Sequence, residues 1–330
     1  MPACPHETRI VACGSSQRID AMNHPLPTEE PTVSVIMPAY RAAATICRAI
    51  DSILAQSYPA HEILVIDDES PEDLEQVLRK YGDRVKLLRQ PRGGVAAARN
   101  RGLDIATGDL VAFLDSDDEW LPGRLALGVD VLKKWPDVGL VVSGFVWVNC
   151  DTGAEGGTGG PPLDWCNRPV RVENSRLLQL AKSTHTGSIT IRRSLLGQLR
   201  FDTTLTTAED RDLWLRLLAI GTAYFVPDIQ SRVFSRADSL SNRDIDVDCR
   251  CMLRVIDRYA GLLSASDYRR ERSYVYLRWA RGLPGRWRAL AYWTRSVWLW
   301  PLPYGRGLVT YRMVRLRVLF SIIMRRGRRT

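Results

Sequence analysis

The sequence predicts an α/β chain: a mostly parallel sheet flanked by helices, followed by a helical extension rich in arginine and tryptophan. Three observations predict it. Apolar, β-branched runs alternate with stretches whose apolar residues recur every three to four positions, which is the pattern of strands joined through helices. Carboxylates cluster where several of those runs stop. From Arg272 onward the chain carries 14 Arg, no Lys and no acidic residue; subtracting those 14 from the whole-chain +9 leaves residues 1–271 at −5.

The elements follow in order. Residues 1–31 hold Pro2, Pro5, Pro25 and Pro27 without apolar periodicity, and read as a flexible lead-in lacking the apolar segment of a secretory signal. Residues 32–38 (TVSVIMP) are the first strand, ending at Pro38-Ala39-Tyr40. Residues 42–56 are helical, with Ile46, Ile50, Ile53 and Leu54 on one face. A second strand, 63–66 (ILVI), stops at Asp67-Asp68-Glu69-Ser70, and residues 72–81 are helical through Leu74, Val77 and Leu78. Residues 84–88 make a weaker third strand. Gly93-Gly94 then open a helix over 94–106; lacking a G-x-G-x-x-G pattern, they read as a turn. The fourth strand, 110–114, ends in Asp115-Ser116-Asp117-Asp118. Residues 151–162, rich in Gly and Pro, read as a flexible surface loop or a lid. Residues 188–192 are strand-like. Residues 208–220 are helical, with Leu213, Leu217 and Leu218 inward and Glu209-Asp210 in the first turn, where negative charge favours the helix dipole. There is no internal repeat.

In open α/β sheets ligands bind beyond the carboxyl ends of the strands. Pro38–Tyr40, Asp67-Asp68 and residues 115–118 all lie at such ends and converge on one crevice. Carboxylates packed so closely repel unless a cation neutralises them. Hard oxygen ligands suit Mg²⁺ or Mn²⁺, ions that share their shell with phosphate oxygens. Residues 115–118 therefore read as a metal–diphosphate handle; the plain alternative is a solvated acidic turn capping the next helix.

The strings VSVIMPAYRAAATICRAIDSILAQSY, EILVIDDES, GGVAAARNRGLDIATGDLVAFLDSDD and AEDRDLWLRL, in that order from about residue 32 to about residue 241, resemble glycosyltransferase family 2. The resemblance implies the GT-A type, Rossmann-like fold and an inverting transfer from a nucleotide-diphosphate sugar, with UDP or another pyrimidine nucleotide favoured. It also implies roles. Pro38 and Tyr40 match the residues flanking the nucleotide base, and Asp68 the carboxylate that accepts a hydrogen bond from a pyrimidine. Arg99, in Ala-Arg-Asn, matches a position lining the nucleotide cleft. Asp115 opens the Asp-x-Asp signature near the ribose; Asp117 closes it and holds the divalent metal. Asp210 matches the catalytic base. One departure is visible. Many members carry a His shortly before a Ser-x-Ser pair, whereas Arg236 precedes Ser239-Leu240-Ser241 here. Arginine can grip a phosphate but cannot ligate a metal, so no third ligand is assigned.

The chemistry suits these residue types. A divalent ion offsets charge on a departing diphosphate, and a carboxylate can take the proton of an acceptor hydroxyl. No Ser/His/Asp or Cys/His arrangement calls for a covalent intermediate. His185 reads as structural or as lining the acceptor side, and Trp120 and Trp165 as packing or as sugar platforms. Two rival functions stay open. A nucleotidyltransferase would show a Gly-rich, basic loop after the first strand, where this chain has residues 38–44 (PAYRAAA). A non-catalytic sugar-nucleotide scaffold would tolerate loss of Asp117 or Asp210.

The tail beyond Arg272 also holds Trp279, Trp287, Trp293, Trp298 and Trp300, half of the ten Trp in the chain. Arginine interleaved with indole rings suits a membrane interface carrying anionic lipid. Leu308–Met324 is apolar but broken by Arg312, Arg315 and Arg317, so it reads as lying on a membrane rather than crossing it. Nucleic acid is the rival partner of such a tail; the Trp density favours lipid, and no nucleic acid is expected. A membrane-held transferase suggests a polyprenyl-linked or cell-surface glycan acceptor. Seven scattered cysteines, an odd count with no C-x-x-C pair, fit a reduced compartment. The expected organisation is a lead-in (1–31), a catalytic domain (32–241) and a helical extension (242–330), cytoplasmic and peripheral on the inner face of the cell membrane.

Overall fold

The computed structural model describes residues 30–235, 244–301 and 308–324; Arg236 and Ser239-Leu240-Ser241 lie outside them. The chain runs β1 (Val33–Ala39), α1 (Ile46–Leu54), β2 (Glu62–Asp67), α2 (Leu74–Leu78), β3 (Lys86–Arg89), α3 (Val95–Ile105) and β4 (Leu110–Phe113), the alternation that the sequence predicts. Then come β5 (Glu119–Trp120), α4 (Arg124–Lys134), β6 (Val138–Asn149), β7 (Glu155–Gly159), β8 (Pro169–Val170) and α5 (Asn174–Ser183). They are followed by β9 (Ile189–Arg192), α6 (Arg193–Leu196), α7 (Glu209–Ile220) and β10 (Thr222–Ser235). The extension contributes α8 (Ile245–Arg258), α9 (Ala265–Gly282), α10 (Arg286–Leu299) and α11 (Leu308–Met324).

The strands form one sheet in the order β3-β2-β1-β4-β9-β6-β10-β5, with β7 on β6 and β8 on β10. β3, β2, β1 and β4 are mutually parallel, and β10 is parallel to β6. β9 runs antiparallel to both its neighbours, β4 and β6. β1 and β4 are buried along their whole length, so their sequences read as continuous apolar runs. Successive side chains of β1 feed opposite faces of the sheet. Val35 and Met37 join Ile50 and Leu125 under α1, α2 and α4; Ile36 joins Leu64, Phe113 and Leu213 under α3, α5 and α7.

The glycine-rich stretch expected as a flexible loop is partly a strand: Thr158 of β7 pairs with Val146 of β6. The physical reason is close packing. A Cβ at Gly159 would overlap the Phe145 ring, and Gly160, at φ 147, sits against Gly144 of β6.

The extension does not stand apart. Leu213 and Leu217 of α7 share one apolar core with Met252 and Val255 of α8, Tyr276 of α9 and Ile322 of α11. Arg258 of α8 clamps it polar-side, donating to Asp212 and to Asp202, each at 2.6 Å. Asp244 caps α8 by accepting from the Asp246 and Val247 amides, and Ser264 caps α9. Among the described residues no helix is long and apolar enough to cross a membrane.

Candidate active site

The site grows from the carboxyl ends of β1, β2 and β4. The Asp68 amide donates to the Ala39 carbonyl at 2.9 Å, joining the ends of β1 and β2. Its buried carboxylate accepts from the amides of Gly93 and Gly94, each at 2.8 Å, and from Gln90 Nε2 at 2.9 Å. The Gly93-Gly94 turn is thus fastened to Asp68. A carboxylate has about four acceptor positions, so roughly one stays open to a ligand. Tyr40 lies half-buried at the edge, with the Arg92 guanidinium 3.6 Å above its ring centroid, while Pro38 is buried within β1. The backbone here is strained. Arg41 (φ 53) follows β1, Glu69 (φ 60) follows β2, and Ala208 (φ 61) precedes α7. A left-handed conformation costs an L-residue about 1–2 kcal/mol, and such outliers concentrate at working sites.

Arg99, buried on α3, joins two chain segments. Its Nη2 donates to Asp115 Oδ1 at 2.7 Å and its Nη1 to Glu209 Oε1 at 2.8 Å. Burial alone would lower the guanidinium pKa; Asp115 and Glu209 outweigh that and raise it. The two carboxylates respond oppositely. Burial raises Asp115, but Arg99 and His185 prevail and hold it below the usual range. Burial and the adjacent Asp210 charge push Glu209 up to about 7, against a smaller opposing pull from Arg99. The Asp210 charge also acts on His185 and Arg99, so Asp210 lies near both; its Oδ1 accepts from the Arg211 amide at 2.7 Å. Beneath Arg99, Phe113, Phe201 and Trp214 form an aromatic triangle with centroids 5.5 to 6.0 Å apart. It seats the start of α7 against the end of β4.

Asp115, Asp118 and His185 each offer a ligand atom, all within 4.8 Å of one another. Asp118 is buried; its Oδ1 accepts from the Phe234 amide at 2.9 Å, and its Oδ2 lies 3.7 Å from His185 Nε2. Burial, then the charges of Asp117 and Asp115, raise the Asp118 pKa well above the carboxylate range. Burial lowers the His185 pKa, favouring the neutral imidazole, the form in which histidine ligates. This donor set fits a hard divalent cation, whose charge would relieve the repulsion that Asp118 feels. His185 Nδ1 accepts from the Gly187 amide at 3.2 Å, which leaves Nε2 facing the carboxylates. That arrangement places the neutral imidazole's proton on Nε2, so ligation there needs the proton moved to Nδ1 and this long bond given up. Asp117 is half-buried, with its backbone carbonyl held by Arg48 Nη2, and stands outside this three-residue group.

Of the residues singled out in the sequence, Arg99 and Asp115 touch, and Asp210 acts electrostatically on Arg99; Pro38, Tyr40 and Asp68 line the β1–β2 side. Resemblance favoured Asp210 over the neighbouring Glu209, and sequence reasoning took Asp118 only as part of the 115–118 handle. It also left His185 undecided, because only the tertiary fold brings β9's approach segment to residues 115–118. Trp120 and Trp165 are buried, and Trp120 Nε1 donates to the Gly187 carbonyl at 2.8 Å, so both pack rather than offer platforms.

The profile described as Glycosyl transferase family 2 matches residues 34–200, half of the chain. The Bacillus subtilis teichuronic acid biosynthesis glycosyltransferase TuaG is 32% identical over 203 residues, 59% of this chain and 75% of that protein. The Escherichia coli UDP-Glc:alpha-D-GlcNAc-diphosphoundecaprenol beta-1,3-glucosyltransferase WfgD is 32% identical over 190 residues, 56% of this chain and 69% of that protein. Two Rickettsia relatives, both 28% identical, are matched only in part: the match spans 39% of the Rickettsia felis glycosyltransferase and 64% of that from Rickettsia prowazekii. S. aureus TarS with UDP-GlcNAc aligns over 88% of this chain and 92% of its own at TM-score 0.59 and 16% identity. The Pyrobaculum calidifontis mannosyltransferase PcManGT, with GDP-Man and Mn2+, aligns over 91% and 87% at TM-score 0.56 and 20% identity. Those structures share the fold, and the profile spans the segment carrying Asp68, Arg99 and residues 115–118: the chain belongs to glycosyltransferase family 2.

Proposed function

We propose that this enzyme moves a sugar from a nucleotide-diphosphate donor, UDP or another pyrimidine nucleotide, to a hydroxyl of a lipid-linked or cell-surface glycan. The observation that carries the reading is the Arg99 bridge, which joins the carboxylate at the end of β4 to the acidic start of α7. Donor and acceptor chemistry thereby meet in one cleft. Tyr40 and Pro38 flank the base, and the open acceptor position of Asp68 receives the pyrimidine. Asp115, held ionised by Arg99, approaches the ribose. Asp117, with Asp115, Asp118 and His185 beside it, would hold Mg²⁺ or Mn²⁺. When bound, the ion supplies positive charge against the leaving diphosphate.

Asp210 takes the proton of the acceptor hydroxyl, whose oxygen attacks opposite the diphosphate and inverts the anomeric centre in one displacement. Arg99 holds Glu209 in place beside it, and the left-handed turn at Ala208 aims the start of α7. The names of WfgD, TuaG and the Erwinia amylovora amylovoran enzyme AmsB support a polysaccharide-building role. Residues 32–241 form the catalytic unit and 242–330 hold it at the inner face of the cell membrane. The test is transfer from a nucleotide-sugar panel to a polyprenyl-diphosphate glycan, with Mn²⁺ or EDTA. We expect Mn²⁺-dependent transfer with inverted configuration. A retained configuration, or undiminished transfer in EDTA, would overturn the mechanism.

A further inference from the structure

The C-terminal helices carry apolar surface and charge that the cleft does not use. Six of the ten large apolar side chains exposed among the described residues sit on α10 and α11. On α10, Trp287 (78% exposed) and Trp298 (82%) are eleven residues apart, about three turns, and so project from the same side. Arg295 is exposed between them. On α11, Leu316, Phe320, Ile323 and Met324 form a stripe at i, i+4, i+7 and i+8, facing solvent. Its opposite side is buried: Val318 and Ile322 join the core, Arg315 Nη2 donates to Ser273 Oγ at 3.1 Å, and Trp293 Nε1 of α10 donates to the Arg315 carbonyl at 3.1 Å. A surface helix ordinarily hides its aliphatic stripe; α11 presents one outward.

Charge narrows the occupant. Arg272, Arg278 and Arg288 are neutralised by Asp257, Asp248 and Asp246 of α8. Arg286 and Arg317, beside the exposed stripes, make no ion pair among the described residues, and no acidic residue follows Arg272 in the chain. A second copy bound through this face would set arginine against arginine in an isologous contact. Nucleic acid would match the arginines but leave four aliphatic and aromatic side chains of α11 without partners, since such interfaces are strongly polar.

We propose that α10 and α11 form a docking face for an anionic lipid bilayer. Both helices lie in the interface, with Trp287, Trp298 and the α11 stripe among the acyl chains and Arg286, Arg295 and Arg317 at the headgroup phosphates. The test uses the full chain and vesicles of phosphatidylglycerol with phosphatidylcholine, against phosphatidylcholine alone, read by flotation and by tryptophan emission. No sugar transfer is needed, so the result is independent of the donor and base assignments. We expect flotation with the anionic vesicles and a blue-shifted emission. Trp287→Ser/Trp298→Ser/Phe320→Ser should bind at least about tenfold less at unchanged melting temperature. Arg286→Glu/Arg317→Glu should lose about tenfold and abolish the preference for anionic lipid. Equal flotation of native and triple variant would overturn the proposal. So would equal binding to neutral vesicles, or lipid-free dimerisation or duplex DNA binding that the triple variant loses while still floating.

Discussion

Arg99 stands between two carboxylates that compete for it. Arg99 holds Asp115 below the usual range, whereas burial and the neighbouring Asp210 charge raise Glu209 to about 7. Replacing one partner of a buried ion pair leaves the others uncompensated. Arg99→Met should therefore destabilise the protein by about 3–5 kcal/mol in urea unfolding and abolish transfer. Arg99→Lys should recover only part of both, since one ammonium cannot fork to two acceptors. Glu209 gives a pH signature. Its folded pKa, about 7, lies above the ordinary 4.5, so the folded state keeps a proton that the unfolded state has released. Its contribution is fully present below 4.5 and is lost as pH rises through about 7. Glu209→Gln should flatten the decline in melting temperature across that window; an unchanged slope would remove Glu209 as its cause. At this scale the sequence marks aspartates well, because a carboxylate cluster after an apolar run is visible in one line of text. It marks Arg99 only through resemblance. It leaves His185 ambiguous, because the partners of His185 lie about 70 residues upstream.

At the scale of elements, the cleft depends on how α3 and α7 are seated. Gly102 lets α3 lie directly on β1, where a Cβ would overlap Ile36. Asn100 of α3 exchanges two hydrogen bonds, at 2.8 and 2.9 Å, with the backbone of Phe201. Phe201 then packs edge-on to Phe113 of β4 and Trp214 of α7. Phe201→Ala should cost about 3–5 kcal/mol and slow transfer without touching a reacting group, as seen by urea denaturation alongside turnover. β1, β2 and β4 are legible because strands covered by helices on both faces read as unbroken apolar runs. β6 is apolar too, but its twelve residues exceed the usual strand and suit a buried helix equally. β10 hides its alternation behind Pro227 and two register shifts between Phe225 and Ser231. β7 hides behind glycines, which weaken a strand except where another backbone or ring must come close.

Taken whole, the molecule joins a larger part that is acidic on balance, bearing the cleft, to an arginine-rich helical end through one continuous core. The sequence marks an extension because its composition changes sharply. Composition reports surface chemistry, whereas Tyr276, Trp279 and Ile322 bury themselves against the same cluster as Leu213 and Trp214. Heating should therefore unfold the chain in a single transition, and a chain ending before α9 should melt lower or fail to fold; two resolved calorimetric peaks would show independent units. The most direct test of the cleft is Asp210→Asn, assayed for nucleotide-sugar binding in Mn²⁺ and for transfer in parallel. Binding should stay within about twofold of native while turnover falls at least about a hundredfold. Native turnover in that variant would contradict the assignment of Asp210 as the base.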